Sequence, residues 1–283
     1  MALLVSCSAS RPAAQAADPT NPFRSGHTLV IPHGGGDGLF PEDTVYAYEH
    51  SMAMGGEVVD VDVALSADGV PVAVHDANVD ATTEASGAVA SLTVAQLQAL
   101  DAGYRFTIDG TQPFRGLGLR IPTLLEILER FPTAMVSLDL KDLGSDILQP
   151  VCDLLHEEHA VARSFVGSDG DDQIVELRRR CPDVRTSANL PDARALWKAA
   201  DGNDPTFRPG ATIDQPPFRA GDRTLVTKER LAYAHAHGVA VLTWVVDDEP
   251  TMRALVEMGV DGIYTRYPDR LARIVESYRR SRN

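Results

Sequence analysis

No stretch of the chain approaches the roughly 18 consecutive apolar residues of a membrane-spanning helix, so none is expected. No Lys/Arg block stands out. The 26 basic residues face 40 acidic ones, a net charge of −14, which argues against a nucleic-acid groove built on clustered cations. Cys7, Cys152 and Cys181 are the only cysteines, and the absence of CxxC spacing removes a thiolate metal site. Cys152 and Cys181 are expected as buried free thiols, or as a pair if the compartment is oxidising. Gly-x-Ser-x-Gly and P-loop patterns are also missing, and so are internal repeats and domain-splitting linkers.

What the chain has is bulk for one large core: 283 residues, 44% of them apolar. A single α/β barrel commonly needs roughly 250 residues. The first 25 residues read differently from the rest. Ala2-Leu3-Leu4-Val5 and the following Ala/Ser/Pro-rich sequence resemble the tail of an export signal. Leu4-Val5-Ser6-Cys7 looks like a lipoprotein cleavage box, in which Cys7 would carry a lipid and attach the protein to a membrane. The expectation is an exported protein, extracellular or associated with the cell envelope.

From there on, apolar β-rich runs at 28–33, 57–63, 70–75, 134–140, 162–167, 184–188, 211–214, 239–246 and 261–264 alternate with helical patterns. Such alternation predicts parallel strands joined by helical crossovers, and hence an α/β fold. Nine strands are one too many for a (β/α)8 barrel. The surplus lies in the pair 57–63 and 70–75, separated by a turn containing Asp68-Gly69, a hairpin signal. Pairing Ser66 with Gly69 across that turn sets Asp60 opposite His75, with Asp62 on the same face. Residues 76–122 are irregular and too long for an ordinary connection, so they are expected to form a small insertion.

Chemistry-bearing residues gather at the ends of these strands. His33 opens Gly34-Gly35-Gly36, a loop whose backbone could approach an anion, and Pro41-Glu42-Asp43-Thr44 follows. His75-Asp76 ends the hairpin. Two histidines at strand ends suit a general acid and a general base. Asp60, Asp62 and Asp139 could supply three hard oxygen ligands, favouring Mg2+ or Ca2+ over zinc. The alternative for Asp139 is an ion pair with Lys141, on the same face of its strand. Asp247-Asp248-Glu249 reads as helix capping. His235 and His237, two apart on a helix, cannot share a face. Trp244 is either core or a flat wall of a pocket.

Taken together these phrases resemble the glycerophosphodiester phosphodiesterase family over residues 28–272. The matching segments are His33, Pro41 to Thr44, Asp60/Asp62, Asp68 to Asp76, Thr82-Thr83, Leu100 to Gly103, Ile121 to Leu124, Asp139/Lys141, Leu242 to Val245 and Gly259 to Ile263. The resemblance implies a TIM-type barrel occupying residues 26–283, with its site at the carboxyl ends of the strands. It implies metal-dependent hydrolysis of a small phosphodiester, most simply a glycerophosphodiester, to an alcohol and glycerol 3-phosphate. On that pattern His33 and His75 are acid and base, and Asp60, Asp62 and Asp139 hold the divalent ion. Lys141, Trp244 and Glu42 bind substrate. The chain departs from the family where Gly34 replaces an arginine, Asp60 and Asp139 replace glutamates, and Asp43 replaces an asparagine. Two alternatives stand beside this reading: phospholipase D-like cleavage of lysophospholipids or sphingolipids, and a barrel that only binds its ligand.

Overall fold

The computed structural model describes residues 21–141 and 146–282. The stretch around Cys7, with its export and lipidation signals, lies outside the described residues. Eleven strands are present among the described residues: β1 (Leu29–Pro32), β2 (Val58–Leu65), β3 (Pro71–Ala73), β4 (Met135–Leu140), β5 (Ser164–Ser168), β6 (Arg185–Thr186), β7 (Ile213–Asp214), β8 (Arg219–Ala220), β9 (Arg223–Thr224), β10 (Ala240–Thr243) and β11 (Gly262–Thr265). The helices that matter below are α1 (Val45–Ala53), α2 (Val94–Leu97), α3 (Leu124–Arg130), α4 (Leu148–Glu157), α5 (Asp171–Arg180), α6 (Leu190–Gly202), α7 (Lys228–Ala236), α8 (Glu249–Met258) and α9 (Pro268–Arg282).

Two arcs of parallel strands make a TIM-type (β/α)8 barrel. One runs β1-β11-β10-β7, the other β2-β4-β5-β6 with β3 added antiparallel at its edge. The arcs meet where the Glu57 N–H donates to the Val30 carbonyl (2.9 Å), and at a parallel bridge between Ser187 and Ile213. Strand alternation sorts the side chains. Val58 faces the barrel interior with Leu29, Ile31, Phe165, Leu242 and Tyr264, while Val59, Val61 and Val63 face the helix layer with Leu124, Ile127 and Leu155. Asp60 and Asp62 therefore share the interior with Val58.

β3 is the surplus strand, as the turn signal predicts, but its register differs by one. Val63 pairs with Ala73 and Leu65 with Pro71, so Ser66 faces Val70 rather than Gly69. Ala67, Asp68 and Gly69 form a three-residue turn, in which Gly69 adopts φ +79° and the Ser66 Oγ accepts from the Val70 N–H. His75 is thus not paired opposite Asp60; β3 ends at Ala73 and His75 reaches the site from the chain beyond it.

Two further expectations change. Residues 21–25, which the sequence places with the leader, pack into the barrel. Phe23 is fully buried, edge-on to Phe165 at 4.8 Å, and the Asn21 amide donates to the Thr212 carbonyl, just before β7. Cys152 of α4 and Cys181, the residue capping α5, form a disulfide, so they are not free thiols. β8 and β9 form a small antiparallel hairpin of their own. Within residues 76–122, α2 and two short 3-10 turns build a separate apolar cluster in which Val79, Val89, Leu97 and Ile121 pack on Val72 and Val74. Among the described residues no helix is long and apolar enough to cross a membrane.

The disulfide closes a loop of 29 residues between two neighbouring helices. Opening it, by Cys152→Ser or by reductant, is expected to cost roughly 3–4 kcal/mol from the loop-closure entropy of the unfolded chain. A urea midpoint that does not move under reducing conditions would contradict this.

Candidate active site

The carboxyl ends of the strands surround one cavity of about 940 Å³. His33, Asp60, Asp62, His75, Asp139, Lys141 and Trp244 all line it, so seven of the eight residues singled out from the sequence converge. Glu42 is the exception. It is half-buried beside the cavity, close enough for the His75, Asp37 and Asp62 charges to act on it. Its carboxyl is raised by burial, and His75 draws it partly back.

The parallel register of β2 and β4 sets Asp62 beside Asp139 and Asp60 beside Ser137, all on the interior face. Asp60 and Asp62 are only 7% and 6% exposed. Burial pushes Asp60 up to about 7, and Asp62 repels it further, against the opposing pull of His33, the Ser137 hydroxyl and the Gly34 N–H. Burial likewise raises Asp139, with Lys141 acting in the other direction. The Lys141 ammonium lies 3.1 Å from Asp62 and 2.6 Å from Asp139. Despite partial burial these two carboxylates hold it above its ordinary value. The Asp139–Lys141 pair that the strand pattern allows thus exists in this structure.

The glycine loop has a different task from the anion cradle it suggests. His33-Gly34-Gly35 form a 3-10 turn, with positive φ at Gly34, Gly35 and Gly36. The Gly34 N–H donates to Asp60 (3.2 Å), holding a carboxylate rather than a phosphate. A Cβ on Gly35 would come within 2.8 Å of the Ala47 Cβ, so the loop can pack against α1 only as glycine. His33 Nδ1 lies 3.4 Å from Asp37, inside ion-pair range but without hydrogen-bond geometry. Burial disfavours its imidazolium, yet Asp37, Asp60 and Asp62 together raise it to about 9. His75 is exposed and pairs with Asp76 at 3.0 Å. Asp43 sits fully buried beneath the site; it accepts from the Tyr48 hydroxyl (2.7 Å) and the Asp62 N–H (3.2 Å), which fixes the β2 backbone at Asp62.

Among the described residues, no three acidic, histidine or cysteine side chains already converge on one coordination point. The donor chemistry nevertheless fits a hard divalent cation. Asp60, Asp62 and Asp139 offer carboxylate oxygens only, and burial first, then Asp62, raises the Asp60 carboxyl.

The sequence reading passed over Tyr264, Gln215 and Asp214. Tyr264 is buried in the barrel interior, where its hydroxyl accepts from the Gln215 amide (2.7 Å) and lies 3.1 Å from the Ser137 hydroxyl. Asp214 ends the run Ala211-Thr212-Ile213, an acid at a strand's carboxyl end, and that was the available signal. The capping and helix-face readings hold: Asp248 caps α8 by accepting from the Thr251 N–H, and His235 pairs separately with Asp261.

A (β/α)8 barrel with its acidic and imidazole groups at the carboxyl ends of the strands belongs to the class of barrel enzymes. The model of the glycerophosphoryl diester phosphodiesterase family matches residues 33–270, and the chain belongs to that family; it is a phosphoric diester hydrolase. A glycerophosphodiester phosphodiesterase of Bacillus subtilis is 26% identical over 264 residues, covering 88% of this chain and 87% of that protein. The crystal structure of the glycerophosphoryl diester phosphodiesterase domain of an uncharacterized Mycobacterium tuberculosis protein superposes with a TM-score of 0.78 at 25% identity, over 89% of this chain and 99% of that one. A glycerophosphodiester phosphodiesterase from Agrobacterium tumefaciens gives a TM-score of 0.71 at 25% identity, over 87% and 99%.

A carboxyl raised on folding stabilises the protein only while protonated, so ionising Asp60 removes stability as pH rises from about 4 toward 7. With chelator present, Asp60→Asn is expected to gain on the wild type across that window, by on the order of a few kcal/mol. Urea unfolding at stepped pH reads the difference; a constant difference would contradict the assignment.

Proposed function

We propose that the enzyme hydrolyses glycerophosphodiesters to an alcohol and glycerol 3-phosphate, with His33 and His75 in acid–base roles and a divalent cation, Mg2+ or Ca2+, held by Asp60, Asp62 and Asp139. The observation that carries this reading is that all five side chains line one cavity. One histidine takes the proton of the attacking water, or of a substrate hydroxyl leading to a cyclic phosphate; the other protonates the departing alkoxide. Asp76 orients His75, and Asp37 keeps His33 near its charged form. The bound cation supplies charge neutralisation at the phosphoryl oxygens. Lys141, at the same strand end, is the cation that would contact the phosphate. It lies 3.1 Å from Asp62 and 2.6 Å from Asp139, and it supplies a positive charge in a site whose family arginine is Gly34.

Leu190 and Trp244, 52% and 45% exposed on the cavity wall, favour a second reading in which lysophospholipids or sphingolipids are cleaved. The Cys152–Cys181 disulfide supports an exported enzyme, since cytosolic reductants keep such bonds open.

His33→Ala and His75→Ala are each expected to lower kcat on glycerophosphodiesters by about 10²–10⁴-fold, and chelation to abolish turnover, with Mg2+ or Ca2+ restoring it. Full activity of both variants on glycero- and lysophospho-diesters would refute the acid–base assignment. Faster turnover of lysophospholipid than of glycerophosphodiester would favour the second reading.

A further inference from the structure

The cavity is larger than the catalytic cluster requires, and its far side is built from residues that the mechanism does not use. Ile213 points into the barrel with Leu29, Ile31 and Leu242, so alternation turns Asp214 outward to the helix layer. There α6 presents a stripe at helical spacing, Leu190, Arg194, Trp197 and Asp201, which lines the same cavity as His33 and Asp139. Pro216, Leu225 and Trp244 line it as well. Beside the catalytic mouth there is thus a side lobe between the barrel wall and α6.

Asp214 lines this lobe at 2% exposure, and its Oδ2 is fully buried with no hydrogen-bond partner. Two of the guanidinium groups nearby are committed elsewhere. Arg178 binds Asp192, Thr186 and the Ser187 carbonyl; Arg230 binds Asp201 through two bonds and also the Leu225 carbonyl. Burial pushes the Asp214 carboxyl up to about 7, and Asp192 adds to this. The Gln215 backbone and the Trp197 side chain act on the carboxyl in the other direction, but its Oδ2 keeps no partner, and a cationic donor is what compensates such a buried oxygen best. The flat Trp197 and Trp244 side chains supply the apolar surface that the carbon skeleton of such a ligand, or its ammonium, packs against.

We propose that this side lobe is the subsite for the alcohol portion of the substrate, and that Asp214 selects alcohols bearing a protonated amine. The proposal rests on the diester-hydrolase reading, but its binding arm can be tested apart from turnover. Trp197 and Trp244 are the chain's two tryptophans and both line the cavity, so intrinsic fluorescence reports occupancy. With full-length protein at pH 8, ethanolamine is expected to give a saturating fluorescence change that glycerol does not. Asp214→Asn should weaken ethanolamine binding at least tenfold. The same variant should lower kcat/KM for glycerophosphoethanolamine by 10- to 100-fold, and for glycerophosphoglycerol less than twofold. Ala193→Leu narrows the lobe from α6 without touching Asp214 and should also weaken ethanolamine binding; it carries the test if Asp214→Asn does not fold. Unaltered ethanolamine binding in the folded variants, or equal losses on the two diesters, overturns the proposal. Saturation by ethanolamine in a protein that hydrolyses neither diester sustains the subsite and refutes the catalytic reading instead.

Discussion

Two carboxylates buried side by side on the inner wall of a barrel are the constraint around which this molecule is arranged. Asp60 and Asp62 alternate with valines whose side chains fill the layer between sheet and helices, so the period of the strand fixes both the core and the charge. Neither acid can leave the interior without taking Val59, Val61 and Val63 out of the core. The repulsion between them is therefore built into the fold, and their surroundings answer it. The Gly34 N–H and the Ser137 hydroxyl stabilise Asp60, Lys141 approaches Asp62, and the His33 imidazolium faces both acids.

That response explains why the neighbouring backbone is so specific. The turn after β1 passes through three residues of positive φ and packs tightly against α1, which brings a single amide to Asp60. Asp43, itself at φ +54°, is pinned by Tyr48 and in turn pins the Asp62 amide. A chain of short contacts thus runs from the first helix to the proposed ligand-bearing strand. Positioning at this level is what a site relying on electrostatic stabilisation needs.

Much of this was legible in the sequence because strand ends and periodicity are local. His33, His75, the three aspartates, Lys141 and Trp244 each stand at the end of, or in step with, an apolar run, and all seven meet. The hairpin was visible from Asp68-Gly69, but its register depended on whether the turn holds two residues or three, which Ser66 decides through its side chain. The choice between free thiols and a disulfide stayed open in the sequence because the proximity of Cys152 and Cys181 is set by how α4 packs beside α5, not by their spacing. Asp214 was passed over although it follows an apolar run at the end of its strand, near where Asp139 stands in β4. Its significance lies in facing a helix across a void, which no one-dimensional pattern records.

Phe23 and Asn21 cover the amino ends of the strands, at the pole of the barrel opposite the mouth. With its floor stoppered by Phe23, the barrel opens to solvent on the side that carries the carboxylates, so a ligand meets them from that side.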